Sequence, residues 1–108
     1  MTARKKVVPR RYPPLPPSVQ GAGGTITIQL VAKIDGDASE DTLGQFEPST
    51  RHVLILKTLR GDQRWMVLFH ELAHAALWDS GAHNALQGPQ EEIVCDAIAT
   101  SRLREKFP

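Results

Sequence analysis

The chain of 108 residues is 41% hydrophobic and 23% charged, with a formal net charge of +1. That length fits one domain and excludes an enzyme whose cleft lies between two lobes; the near-zero charge argues against a dedicated nucleic-acid binder. The charge is unevenly divided: Arg4, Lys5, Lys6, Arg10 and Arg11 precede any Asp or Glu, so a basic tail leads into an acidic body.

Residues 1–24 read as that tail. Pro9, Pro13, Pro14, Pro16 and Pro17 are followed by Gly21, Gly23 and Gly24, and proline-rich chain prefers extended polyproline II over a packed core. Arg10-Arg11-Tyr12-Pro13-Pro14-Leu15-Pro16 has the Arg-x-x-Pro-x-x-Pro form that SH3-type grooves read, a docking motif for a protein partner. The same composition also suits a plain semi-rigid linker.

Residues 25–108 read as the folded domain. Thr25–Val31 alternates with period two and is rich in β-branched residues, so it predicts a strand with one buried face. Asp35-Gly36-Asp37 marks a turn, and a polar loop runs to Thr42. Leu43–Phe46 and His52–Leu56 predict a hairpin, with Pro48 in the connection because it cannot donate to a ladder. Asp62 is a suitable N-cap for a helix through Asp79, closed by Gly81; Trp65, Phe69, Leu72 and Ala76 form its apolar stripe. A second helix begins at Pro89 and reaches about Lys106, with Glu91 and Glu92 favourable against its dipole. The expected fold is α+β, a small, mostly antiparallel sheet packed on two helices.

The longest aliphatic run is Val53–Leu56, far short of the roughly 20 residues of a membrane span, and Pro9 interrupts any signal-like start. The single cysteine, Cys95, excludes a disulfide framework within the chain and a cysteine-only metal site. Beside Val94 and Ala97 it reads as a small core residue. These features predict a cytoplasmic protein.

The chemistry concentrates in His70-Glu71-Leu72-Ala73-His74. Residues four apart share one helix face, so both imidazoles can reach one metal ion while Glu71 points at a water beside it. Two His ligands with Glu as general base is the zinc-hydrolase arrangement. A catalytic zinc takes a third protein ligand. Glu92 on the second helix is the candidate, and Asp96, one turn on, can accept the free N–H of a ligating His. His83 is a rival third ligand, or a donor to the oxyanion of a peptidase transition state; His52, Arg64 and Tyr12 are further donors. Glu91 points about 100° away from Glu92 and has no carboxylate partner one turn on.

With His70-Glu71-x-x-His74 followed by Glu92-x-x-x-Asp96, the chain resembles gluzincin-type metallopeptidases, and among them the small intracellular ImmA/IrrE-like and phage-encoded ones. The likeness covers roughly residues 43–103, with Val94 and Cys95 departing from the family's downstream segment. It implies zinc held by His70, His74 and Glu92, with Asp96 supporting a ligating His. It further implies peptide-bond hydrolysis through Glu71, and a substrate strand paired to a sheet edge near Arg51–Leu56. A non-catalytic zinc-binding regulatory or adaptor domain is the alternative.

Overall fold

A computed structural model describes residues 12–34 and 42–108. The tail's Arg4 to Arg11 and the expected turn at Asp35-Gly36-Asp37 lie outside these residues. The described elements are β1 (Ser18–Gly21), β2 (Gly24–Val31), β3 (Gly44–Glu47), β4 (His52–Leu56), α1 (Gly61–Ser80) and α2 (Gly88–Lys106), with a 3-10 turn over Ala82–Ala85 between the helices. The fold is α+β, as the residue pattern predicts.

The four strands form one sheet in the order β1-β2-β4-β3. β1 pairs antiparallel with β2 and β3 antiparallel with β4, while β2 and β4 run parallel with Ile28 opposite Val53. Two of three pairings are antiparallel. Side chains alternate across a pleated strand, so Ile26, Ile28, Val53 and Ile55 share one face, and all four are buried. They pack in one core with Trp65, Leu68, Phe69 and Ala75 of α1 and Ala99 of α2. On α2 the buried positions are Glu91, Cys95 and Ala99, spaced by four. Small residues at Cys95 and Ala99 let the two helices approach closely enough for short polar side chains to meet between them.

Two sequence expectations change here. β4 lies between β2 and β3, so Arg51–Leu56 is no edge; among the described residues the outer strands are β1 and β3, and β3 is the one beside Glu71. The second concerns the tail. Residues 12–24, expected outside the packed body, are part of it. Tyr12, Leu15 and Val19 pack on the core, and the Tyr12 ring lies edge-on to Phe107 with centroids 4.8 Å apart. The buried Trp65 indole donates from Nε1 to the Pro13 carbonyl at 2.8 Å. A proline lacks a donor but keeps its acceptor, and a buried indole needs one. Past Pro17 the chain regains its amides and forms β1.

Helix α1 also starts differently. Arg60, not Asp62, is its N-cap: the Arg60 amide donates to Gln63 Oε1 at 3.0 Å, placing Asp62 in the first turn. Gln63 thus performs the reciprocal half of a capping box. At the other end Gly81 adopts φ 84°, the left-handed conformation that glycine takes at least cost.

Asp79, in the last turn of α1, fixes the helix across the sheet. Its side chain is 4% exposed and pairs in bidentate fashion with Arg51, at 2.8 and 2.9 Å. It also accepts the Gly23 amide at 2.9 Å. One carboxylate therefore joins α1 to the β1–β2 turn and to the β3–β4 turn. The hydrogen bond from Arg51, assisted by the Gly23 amide and the Arg51 charge, holds the Asp79 carboxyl below the usual aspartate range. A lowered folded value gives stability that is complete above the unfolded pKa, about 3.9, and lost as pH falls through the folded one. Asp79→Asn should therefore melt lower than wild type at pH 7, and the gap should close below about pH 4. Melting temperatures across pH 2–7 check this.

Candidate metal centre

Helix α1 carries His70 and His74 one turn apart, and α2 presents Glu91, Glu92 and Asp96 to them. His70 Nε2 and His74 Nε2 are 3.1 Å apart. Glu92 lies 3.0 Å from both, through Oε1 to His70 and Oε2 to His74. Each ring's other nitrogen meets a different carboxylate: His70 Nδ1 is 2.7 Å from Asp96 Oδ1, and His74 Nδ1 is 2.6 Å from Glu91 Oε2. The structure thus brings together His70, His74, Glu92 and Asp96, and adds Glu91.

Proton bookkeeping shows what this arrangement can hold. An ionised carboxylate only accepts, so each Nδ1 that meets one carries the proton and donates. In the tautomer that carries its proton on Nδ1 alone, each ring presents a bare Nε2 lone pair to the other ring and to the Glu92 oxygens. With the rings in that tautomer, the two Nε2 atoms and the Glu92 carboxylate, 3.0–3.1 Å apart, are all acceptors, an arrangement suited to a cation. Tetrahedral donors at 2.0–2.1 Å from zinc are separated by roughly 3.3 Å, so the spacing fits such an ion with small adjustment. Asp96 and Glu91 favour the tautomers that would leave both Nε2 atoms available to a metal.

Glu71 is buried beside this group, with a carboxylate oxygen within 4.8 Å of the histidine donor atoms. Burial pushes its carboxyl above the ordinary glutamate value, and His74 and His70 only partly offset that. The Phe46 amide donates to it. Phe46 lies on β3, where alternate amides point away from β4, so Glu71 meets the outer sheet edge. Gly44 allows that approach: a Cβ there would collide with Val67 Cγ1 and lie 3.3 Å from Glu71 Cγ. Val67 is β-branched and stiff. Gly44→Ala should cost about 1–3 kcal/mol by overpacking, and Val67→Ala in the same chain should recover much of it; urea unfolding measures both.

Glu91, which its helix position alone sets apart from Glu92 and Asp96, is buried. Burial alone would raise its carboxyl, but hydrogen bonds from His74 and His83 outweigh that and hold it below the usual value. Its signal in the sequence is the spacing Glu91, Cys95, Ala99, a buried stripe headed by a carboxylate. The Cys95 thiol is pushed up to about 12, chiefly by burial and then by the carboxylates around it. It stays protonated and serves as packing.

His83 reaches the centre only through Glu91, with Nδ1 2.8 Å from Oε1. Of the other donors, His52 gives its Nδ1 proton to the Thr50 carbonyl, Arg64 donates to the Lys57 carbonyl and Tyr12 packs on Phe107. None of these three lines the cleft over the centre, which measures about 620 Å³. Its apolar walls come from Leu43 and Phe46 on one side and Met66 and Trp78 on the other. Glu92 and Asp96 form the solvent side, 58% and 75% exposed.

Comparison of the chain with protein-family models, with curated proteins and with solved structures finds no match. Among the described residues no helix is long and apolar enough to cross a membrane.

Proposed function

We propose that the chain is a zinc-dependent metallopeptidase of the gluzincin type, acting on extended peptide in a reducing, cytoplasmic setting. The observation that carries this reading is the meeting of His70 Nε2, His74 Nε2 and the Glu92 carboxylate at 3.0–3.1 Å, with Glu71 buried beside them. Zinc in that position supplies Lewis acidity to a water molecule and to the scissile carbonyl.

The chain's own residues do the rest. Asp96 and Glu91 hold the Nδ1 protons of His70 and His74, keeping both lone pairs aimed inward. Glu71 takes the proton of the attacking water and returns it to the leaving amine. Burial raises its carboxyl above the ordinary glutamate value, which makes it a stronger base for that proton. The outer edge of β3, whose Phe46 amide is already bonded to Glu71, offers its remaining main-chain groups to an extended substrate, which would lie along the cleft. Phe46, Trp78 and Leu43 give that cleft apolar surface.

The test is zinc content together with hydrolysis of an unstructured polypeptide. Purified protein should carry about one zinc per chain and cleave; a strong chelator should abolish cleavage and added zinc restore it. Stoichiometric zinc without cleavage of any offered peptide would favour the non-catalytic, regulatory domain. Absence of zinc affinity would end both readings.

A further inference from the structure

The two ligating imidazoles are supported unequally. Asp96, which takes the His70 proton, is 75% exposed, so water can satisfy its remaining lone pairs. Glu91, which takes the His74 proton, is only 10% exposed and sits beside the Cys95 thiol and the Glu92 carboxylate. There the second oxygen needs a donor from the protein itself, because a buried carboxylate oxygen left unpaired is expensive. His83 provides that donor: its Nδ1–H reaches Glu91 Oε1 at 2.8 Å. The ring is backed by Trp78, with centroids 5.1 Å apart. The Leu86 amide closes the short turn on the His83 carbonyl.

We infer that His83 is a positioning residue for the metal centre, acting through Glu91 on His74. With Oε1 occupied by His83, the carboxylate cannot rotate without breaking a hydrogen bond. Oε2 therefore stays on the His74 Nδ1–H, and His74 Nε2 stays a ligand. The inference rests on the metal-centre reading above. It replaces both roles that the sequence suggests for His83, third ligand and oxyanion donor, with a third. The segment between the helices thereby becomes part of the metal site without touching the ion.

Zinc affinity decides this, measured on the full chain by competition with a chromophoric chelator at pH 7. His83→Ala should weaken zinc binding roughly tenfold to a hundredfold, the range for loss of a group that supports a ligand. The zinc-free His83→Ala protein should also melt lower, because Glu91 Oε1 loses its donor, so affinities are compared on protein shown to be folded at the titration temperature. His83→Asn, whose side-chain N–H₂ can take the place of Nδ1–H, should recover most of the affinity. Glu91→Gln should weaken binding as well, because its amide N–H₂ faces one of two imidazole donors. The double variant His83→Ala/Glu91→Gln should then bind no worse than Glu91→Gln alone, as expected for two members of one chain of contacts.

Wild-type affinity in His83→Ala would overturn the inference, as would additive losses in the double variant. A loss that His83→Asn leaves in place would make the imidazole itself a ligand and overturn it equally. If wild type binds no zinc, the metal-centre reading fails, and that result is separable from all of these.

Discussion

Replacing His74 by Ala should leave the purified protein without zinc. His74 is the pivot of the centre: its Nε2 is 3.1 Å from His70 Nε2 and 3.0 Å from Glu92, and its Nδ1 anchors Glu91. The substitution removes one of three donors and frees a buried carboxylate in the same stroke. A site reduced to His70 and an exposed Glu92 should fall in affinity by orders of magnitude. Asp96→Ala provides the graded comparison, since it removes only the acceptor of the His70 proton and should cost roughly 10–100-fold. Metal analysis after gel filtration, with competition titration for the weaker binders, reads both. Zinc retained at full stoichiometry by His74→Ala would place the metal elsewhere.

Glu71→Gln should give the opposite signature, full zinc content with hydrolysis lost. The amide is nearly isosteric and keeps an acceptor for the Phe46 amide, but it cannot take a proton from water. General-base catalysis contributes roughly 10²–10⁴-fold, and the loss should fall in that range or beyond it. Because Glu71 is buried and pushed up by that burial, removing its charge should not destabilise the fold. A melting temperature equal to or above wild type in the zinc-free state is the expected accompaniment. Unchanged turnover with zinc bound would remove Glu71 from the chemistry.

Much of the fold is written locally. The period-two run from Thr25 to Val31 and the helix from Gln63 to Asp79 carry their own periodicity, and both stand in the structure with small changes at the ends. What lies between distant segments is not written that way. Nothing in Thr25–Val31 or His52–Leu56 announces that they pair in parallel, because that register depends on where α1 packs. Nor does Pro-rich composition announce that this stretch packs, since the donor that holds the Pro13 carbonyl is the Trp65 indole, far along the chain.

The candidate centre divides in the same manner. His70 with His74 and Glu92 with Asp96 are both four-residue pairs, so each is visible within its own helix. Which carboxylate meets which ring nitrogen is a property of two helices together. Glu91 is hidden because its face is defined by Cys95 and Ala99, small residues that mark the contact with α1 and carry no chemical signal of their own. Asp62 shows a local limit: two acceptors, Asp62 and Gln63, compete to begin α1, and the geometry of Arg60 decides for the second.

The proline motif at the start of the described chain has one more consequence. Tyr12 and Leu15 lie on the core, and Pro13 supplies the acceptor for the Trp65 indole. A groove that captured Arg10–Pro16 as an extended ligand would have to lift these residues away, uncovering Trp65 and Phe107. Docking and folding thus compete for a single stretch of chain. A partner bound there would loosen the first turns of α1, the helix that goes on to carry His70 and His74.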